Sequence, residues 1–258
     1  MSNVNPFIRD DAGVLHVVAL SGGHDSTALA LLLKEREPRH YNYVCTPTGN
    51  ELPPMIAHWL RLGDILGRRV YPIMAGTLHD VIRREKMLPN FRARFCTRIL
   101  KIEPYRKFLM AQAALGPVVS YVGLRADEPG RAGGAYADIG NVTMRFPLRE
   151  WGFCEADVQA TLARFGVVCP TRTDCGDCYH QRIGEWFETW RDYPDVAAAA
   201  VALEAEIGGT YRSPGRDSWP VPLAELFAAF AAGRVPTASL ARMERERMAV
   251  GECRVCSL

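Results

Sequence analysis

Short apolar runs alternate with amphipathic segments along the first half of the chain. Residues 14–20 (VLHVVAL) predict a buried strand, and residues 27–36 predict a helix that ends near Pro38. Strands are also predicted at 41–46, 69–74 and 118–123, and helices at 54–67 and 98–114. Strands that alternate with helices form parallel sheets covered on both sides. The pattern therefore predicts an α/β fold with an open, mostly parallel five-stranded sheet and helices on both faces.

The last third of the chain has a different pattern. Beyond Pro170 the strand-like runs disappear. Helical spacing of apolar residues continues at 180–192, 195–206, 222–232 and 237–249. We predict an α/β domain over residues 1–168 and a helical, cysteine-containing extension over residues 169–258.

Composition places the chain among globular enzymes. The sequence has 258 residues, of which 48% are hydrophobic and 23% charged, and its net charge is +2. It has no run of 18 apolar residues, so no membrane span is expected, and its first residues lack the order of a signal peptide. We expect a cytoplasmic protein whose eight cysteines are metal ligands, redox groups or buried side chains rather than disulfides.

One stretch of the sequence concentrates positive charge. Between positions 83 and 101, Glu85 is the one acidic residue against seven basic ones: Arg83, Arg84, Lys86, Arg92, Arg94, Arg98 and Lys101. Such a stretch either holds phosphate groups or forms a solvated helix face. Both interpretations stay open.

The segment SGGHDS, from Ser21 to Ser26, joins the first predicted strand to the first predicted helix. Gly22 and Gly23 allow a sharp turn and a close approach of the backbone to a ligand. N–H groups at the start of a helix favour an anion, and the two serine hydroxyls add donors. Asp25 is expected either to cap the helix or to hold Mg²⁺. The segment therefore predicts a phosphate-binding loop.

SGGxDS at this position resembles the signature of PP-loop ATP pyrophosphatases, the adenine nucleotide α-hydrolase group. The resemblance implies that the loop binds ATP and that the protein cleaves it between the α- and β-phosphates, which adenylates a substrate. His24 stands where many relatives carry lysine. Histidine is only partly charged near neutral pH, so this position departs from the family pattern.

Four further segments resemble the phosphoadenylyl-sulfate (PAPS) reductase branch of that superfamily, which includes phage and bacterial proteins. They are 48–53 (TGNELP), 96–104 (CTRILKIEP), 123–131 (GLRADEPGR) and 146–158 (FPLREWGFCEADV). With them, the expected nucleotide-binding residues become Ser21, Gly22, Gly23, His24, Asp25, Ser26, Thr48, Gly49, Lys101, Gly123 and Arg125. Arg125 and Arg131 carry guanidinium groups, which suit phosphate or sulfate oxygens.

Two C-x-x-C pairs lie far apart in the predicted extension. Cys175 with Cys178 and Cys253 with Cys256 supply four thiols, which suits zinc or an iron–sulfur cluster. The resemblance suggests another set, because adenylyl-sulfate reductases with a [4Fe–4S] cluster use a Cys-Cys pair in the segment that here contains Cys96.

Phe95 stands beside Cys96, where the other cysteine of that pair is expected. The candidate ligands are therefore Cys96, Cys175, Cys178, Cys253 and Cys256, around a [4Fe–4S] cluster with zinc as the alternative. Cys253 follows Glu252, which resembles the reductase tail whose cysteine attacks sulfur. The roles of ligand and nucleophile both stay open for Cys253.

Three functions are consistent with these motifs. The first is an ATP pyrophosphatase that adenylates a nucleic acid or nucleotide so that sulfur can replace oxygen. The second is a PAPS or adenylyl-sulfate reductase that uses a C-terminal cysteine as nucleophile. The third is a non-catalytic module that binds a nucleotide and a metal. Dedicated reductases have an eroded phosphate loop, whereas the loop here is intact, which favours the first function.

The expected catalytic residues are Asp25, Arg125, Arg131 and Cys253, and the expected cofactors are ATP, Mg²⁺ and the metal centre. An adenine nucleotide is the expected small-molecule partner. A nucleic acid, a sulfur-donor protein and a homodimer are open candidates, and no membrane partner is expected.

Overall fold

The computed structural model describes residues 5–131, 136 and 138–248, and its centre is a sheet of five strands. The strands are β1 (Leu15–Ala19), β2 (Asn42–Cys45), β3 (Val70–Pro72), β4 (Val118–Tyr121) and β5 (Val142–Arg145). Their order is β3-β2-β1-β4-β5, and every neighbouring pair is parallel. The prediction of an α/β fold with a parallel five-stranded sheet is confirmed.

Helices follow most of the strands and continue beyond the sheet. They are α1 (His24–Arg36), α2 (Pro53–Leu66), α3 (Leu78–Glu85), α4 (Phe95–Thr97), α5 (Glu103–Ala113), α6 (Pro147–Glu150), α7 (Glu155–Arg164), α8 (Ile183–Asp192), α9 (Pro194–Ile207), α10 (Leu223–Ala231) and α11 (Thr237–Met248). A π-helical turn over Arg98–Ile102 joins α4 to α5.

Some helices and strands differ from the predicted ones, each for a physical reason. The first helix begins at His24 rather than at position 27, because the chain turns within the two glycines before it. The helix predicted over 98–114 begins with the π-helical turn and ends at Ala113. The position of β5 was not predicted, since its residues are partly exposed and form no apolar run.

Both faces of the sheet are covered by helices. In β1, Leu15 and Val17 pack in a cluster with Leu109 of α5. Val18 belongs to a different cluster, together with Leu32 of α1 and other side chains of α1 and α7. Side chains alternate across a strand, so the two clusters lie on opposite faces. This confirms the prediction of a sheet covered on both sides.

The order of the strands reverses at β1. From β1 the chain proceeds to β2 and β3 on one side, and it then crosses to β4 and β5 on the other. In open α/β sheets, ligands bind outside the carboxyl ends of the strands at such a reversal. The segments after β1 and β4 therefore form the crevice in which a site is expected.

The C-terminal helical region packs against residues that precede the sheet's fourth strand. Trp186 of α8 is fully buried, and its cluster contains Leu203 of α9 and Leu226 of α10. Ile82 of α3 and Leu100 of the π-helical turn belong to the same cluster. A helical region after the sheet is confirmed, whereas the domain boundary near residue 168 stays a prediction. Within the described ranges, no helix is long and apolar enough to cross a membrane.

A buried carboxylate connects this helical region to the loops at the sheet edge. Asp177 has no exposed surface. It accepts hydrogen bonds from the Nδ2 group of Asn50, from His79 Nε2 at 2.8 Å and from the Tyr211 hydroxyl at 2.7 Å. These donors come from the loop after β2, from α3 and from the segment between α9 and α10. Because a buried charge requires several partners, Asp177 fixes the three segments relative to one another.

Replacement of Asp177 by alanine is expected to lower the free energy of unfolding by about 3 kcal/mol at pH 6, because three donors, among them the buried Tyr211 hydroxyl, lose their acceptor. The hydrogen bond to Asp177 raises the pKa of His79 above its ordinary value of 6.5. The stability that this raised pKa contributes is fully present below 6.5 and is lost as pH rises through the folded-state pKa. The measured loss should therefore shrink between pH 6 and pH 9.

Urea unfolding at both pH values measures the effect. Asp11→Ala is the control, because Asp11 is an exposed aspartate. A loss at Asp177 no larger than at Asp11 would contradict the structural role of the buried carboxylate.

Candidate nucleotide-binding site

The glycine loop runs from the end of β1 into the first turn of α1. Gly23 is the last residue before the helix, and no side chain caps the helix start. The backbone N–H groups of the first turn are therefore available to an anion. Asp25 lies in this turn without capping it, so one of its two expected roles is wrong.

The hydroxyl of Ser26 holds the shape of the loop. It donates to the carbonyl oxygen of Gly23 at 3.1 Å and accepts from the N–H of Gly22 at 3.0 Å. The hydroxyl of Ser21 lies 3.0 Å from that of Ser26. Both serines thus stabilise the loop from within.

Two glycines are required by close contacts at the loop. Gly22 has a φ of +87°, and a Cβ there would lie 2.1 Å from Met55 Cε. Gly123, just after β4, would place a Cβ 3.0 Å from the backbone of Asp25 and Ser26. The chain after β4 therefore lies directly against the loop after β1, and any larger residue at Gly123 would push the loop away.

An ionic cluster lies where these two segments meet. Arg125 Nη1 donates to Asp25 Oδ1 at 3.1 Å across 100 positions of sequence, and Arg125 Nε donates to Asp127 at 2.9 Å. Arg131 Nη1 donates to Glu128 at 2.7 Å and lies 4.0 Å from Asp25 Oδ2. The structure thus brings together Asp25, Arg125 and Arg131, three of the four expected catalytic residues.

The cluster contains more negative than positive groups. Four carboxylates, those of Asp25, Asp127, Glu128 and Glu155, lie within 4.0 Å of Arg125 or Arg131. Burial raises the pKa of the Asp25 carboxyl, and the charge of Arg125 opposes this rise. No three of these carboxylates are arranged to hold a metal ion, so a cation at Asp25 would also need oxygens of the bound phosphates, as Mg²⁺ commonly does.

His24 occupies the variable position of the loop. Burial, and then the charge of Arg125, lowers the pKa of the imidazole. Its Nδ1 is buried and has no hydrogen-bond partner among the described residues. A neutral His24 offers a phosphate one hydrogen bond rather than a full charge.

Trp59 of helix α2 lies against the glycine loop, a contact that the sequence did not indicate. Trp59 Nε1 lies 2.9 Å from the position of a Cβ on Gly22. This indole N–H is buried and has no acceptor within the described part of the chain. Burial lowers the pKa of the neighbouring His58 to about 4, so His58 is neutral. Trp59 is therefore an additional donor beside the loop, and its position depends on tertiary packing rather than on any motif.

The TGNELP turn after β2 has its donors engaged within the protein. Glu51 accepts hydrogen bonds from the N–H of Thr48 at 2.6 Å and the N–H of Gly49 at 3.0 Å. The Thr48 hydroxyl lies 3.2 Å from Cys175 Sγ. Gly49 has a φ of +72°, and a Cβ there would lie 2.9 Å from Thr77. The turn thus contacts the first thiol of the C-x-x-C segment, and its expected nucleotide contact stays a prediction.

Three of the expected ligand cysteines share one positive neighbour. The charge of Lys101 lowers the pKa of Cys96, Cys175 and Cys178, but burial has the larger, opposite effect on each. The pKa of Cys175 rises to about 12, and that of Cys178 rises well above its usual value. Lys101, which was expected to bind the nucleotide, contributes its charge to the thiols.

The metal centre expected at these thiols finds no complete ligand set within the described ranges. Among those residues, no group of three His, Cys, Asp or Glu side chains is arranged to hold a metal ion. Cys253 and Cys256, the remaining expected ligands, lie outside the described residues.

Comparisons with known proteins give a distant likeness in fold. No family model matches the chain, and no curated protein matches it. Among solved structures, the chain is similar to phosphoadenylyl-sulfate (PAPS) reductase from Candida auris in a phosphate complex. The identity is 12%, the match covers 60% of this chain and 74% of that chain, and the TM-score is 0.43. A likeness this distant carries no conclusion about substrate or chemistry.

Gly123→Ala is expected to weaken the affinity for inorganic pyrophosphate about tenfold, because the new methyl group presses on the backbone of the loop. Calorimetric titration measures the affinity, and thermal unfolding checks the fold. Gly130→Ala is the matched control, since a Cβ there meets nothing within 4 Å. Equal affinities for the two variants would contradict the close contact between Gly123 and the loop.

Proposed function

We propose that the protein binds Mg²⁺-ATP at the glycine loop, cleaves it between the α- and β-phosphates and transfers the adenylyl group to an acceptor. The observation that supports this most is the uncapped start of α1, beside which Asp25 and Arg125 meet. An anion site and a carboxylate suited to Mg²⁺ then lie within one turn of helix. Transfer of sulfur to the adenylated acceptor is the proposed next step.

The phosphates are proposed to lie on the N–H groups of the first turn of α1. Mg²⁺ at Asp25 would neutralise a carboxylate that now pairs with Arg125. The guanidinium groups of Arg125 and Arg131 would then be able to exchange carboxylate partners for phosphate oxygens. Such preorganised charges stabilise the negative charge that develops on the leaving pyrophosphate.

The adenosine is proposed to extend from the loop toward β2 and β3. A cavity of about 770 Å³ lies on that side, and Pro47, Gly49, Trp59, Pro72 and Met74 are among its lining residues. Its volume lies in the range of small-molecule sites. Trp59 lines this cavity and also contacts the loop, so its indole N–H would lie between the base and the phosphates in the proposed complex.

The reaction breaks one bond and forms one. An oxygen of the acceptor attacks the α-phosphorus, and the bond from this phosphorus to the oxygen that bridges to the β-phosphate breaks. Pyrophosphate leaves with the electron pair, and the acceptor carries AMP. AMP is a better leaving group than hydroxide, so a sulfur nucleophile from a donor can displace it. No step of this sequence requires a metal other than Mg²⁺.

Purified protein with Mg²⁺-ATP is expected to release pyrophosphate slowly, with water in place of the acceptor and AMP as the second product. Asp25→Ala is expected to reduce this release roughly 100-fold because the cation loses its carboxylate. A coupled pyrophosphate assay measures the rate, with Asp11→Ala as the control. Unchanged release in Asp25→Ala would exclude the loop from the reaction. A protein that binds adenylyl sulfate but leaves ATP intact would favour the reductase function instead.

Trp59→Phe tests whether the indole N–H of Trp59 contributes to the binding of ATP, and calorimetric titration measures the affinity. The substitution keeps the packing of an aromatic ring and removes the N–H, so the affinity for ATP should fall about fivefold to tenfold. Trp151→Phe is the matched control, because both tryptophans pack against the same hydrophobic cluster. Equal affinities for the two variants would remove Trp59 from the nucleotide site.

Anaerobically purified protein is expected to contain iron and sulfide, or zinc, bound through the cysteines. Element analysis and a visible spectrum measure both, and Cys175→Ser should lose the metal. Cys45→Ser is the control, because Cys45 is a buried cysteine of β2. Metal-free wild-type protein would exclude the metal centre, while the proposed cleavage of ATP would be unaffected.

A further inference from the structure

A second cavity adjoins the glycine loop on the side away from β2. Its volume is about 590 Å³, and His24 of the loop lines it. The remaining walls come from α7, the segment 167–174, the start of α8 and α11. A ligand in this cavity would therefore be a direct neighbour of phosphates bound on the loop.

The charges around this cavity cancel. Three arginines and three carboxylates line it: Arg172, Arg182, Arg247, Asp174, Glu185 and Glu246. They form ion pairs, such as Arg172 with Asp174 at 3.1 Å and Arg182 with Glu246 at 2.6 Å. A polyanion such as ATP finds no net attraction here, which distinguishes this cavity from the uncapped start of α1.

Two imidazoles supply hydrogen-bonding groups to the cavity. His24 and His180 both line it. His24 Nδ1 and His180 Nε2 are buried and have no hydrogen-bond partner within the described ranges. A neutral imidazole nitrogen donates or accepts according to its tautomer. Between them are apolar walls, to which Leu162, Val167 and Met243 contribute.

The chemistry of this lining selects a flat, uncharged ring that carries both hydrogen-bond donors and acceptors on its edge. Apolar walls with a few polar atoms are typical of sites for such ligands. Unpartnered buried nitrogens favour a ligand that satisfies them, because an unsatisfied buried group is costly. A nucleobase has these properties, and the volume admits a nucleoside.

The surface beside His180 carries aromatic and basic groups. The ring of Phe91, which is 54% exposed, lies 4.8 Å from the His180 ring in an edge-on contact. The Arg216 guanidinium lies 5.9 Å from the centre of the Phe91 ring. Exposed aromatic rings with nearby arginines suit stacked bases and phosphates of a single strand.

We infer that the 590 Å³ cavity is the acceptor site and that it binds a nucleobase. The base belongs either to a single-stranded nucleic acid, whose neighbouring nucleotides lie on Phe91 and Arg216, or to a free nucleoside. The inference deepens the proposed function, since ATP on the loop would activate the group that this cavity presents. The base edge faces His24 and His180, and the loop lies between the two substrates.

Binding is tested with the full chain and a saturating non-hydrolysable ATP analogue. The probes are fluorescein-labelled 12-nucleotide homopolymers of DNA and RNA, followed by anisotropy, and the free nucleosides, followed by calorimetry. Homopolymers and free nucleosides both carry the base, so His180→Ala should weaken by about tenfold the binding of each probe that binds. Phe91→Ala and Arg216→Ala should weaken the binding of the homopolymers by a similar factor and leave the binding of free nucleosides unchanged.

Matched controls are His40→Ala and Arg191→Ala, both at exposed positions elsewhere on the surface. Thermal unfolding and the affinity for ATP are measured for every variant, so that a misfolded protein is recognised. His24→Gln provides a second test of the base edge, because it retains a hydrogen-bonding group in place of the ring.

Each outcome decides between the possibilities. Binding of strands that is sensitive to both His180 and Arg216 supports the inference with a nucleic acid as source, and binding of nucleosides alone supports it with a free nucleoside. Strand binding that depends on Arg216 but not on His180 overturns it, as does displacement of the nucleoside by the ATP analogue. Pyrophosphate release without binding of any probe overturns the inference and leaves the proposed function standing. Probe binding without pyrophosphate release overturns the proposed function and the acceptor role of the cavity, while the binding of a nucleobase in the cavity stands.

Discussion

Pairing of β1 with β4 is the constraint on which the candidate site depends. It sets Val18 opposite Tyr121, so the chain segments that follow both strands emerge side by side. Gly123 then contacts the backbone of Asp25, and Arg125 reaches the Asp25 carboxylate. Parallel strands require a crossover connection, so this contact joins distant segments by necessity. Any change that shifts the register of β4 would separate the loop from its guanidinium partner.

Electrostatics at the site favour exchange of partners over simple addition of a ligand. The arginines near the loop are already paired with carboxylates, and no side chain caps the start of α1. In the proposed site, a phosphate that arrived with a divalent cation would preserve the balance of charge, because the cation would replace the arginine at Asp25. An anion without a cation would add negative charge to a cluster in which carboxylates are already in excess.

Sequence reasoning identified the parts of the site that are determined locally. Gly22 and Gly23 were recognisable because a strand-to-helix turn needs residues without a Cβ. The side chains that contact the loop could not be predicted from the sequence. Trp59 belongs to a buried helix face, and only packing places its N–H beside Gly22. Glu51 occupies donors that the motif assigned to a ligand. The prediction for the sheet succeeded because buried parallel strands are apolar runs, whereas β5 at the edge lacks one.

The position of Asp177 between two cysteines affects how variants of those cysteines behave. Cys175, Asp177 and Cys178 share one turn, and Gly176 donates its N–H to the carbonyl oxygen of Asn50 at 2.7 Å. Replacement of either cysteine is therefore expected to disturb a carboxylate that anchors three segments of the chain. The melting temperature of a cysteine variant will report on this anchorage, and its activity will report on anchorage and chemistry together.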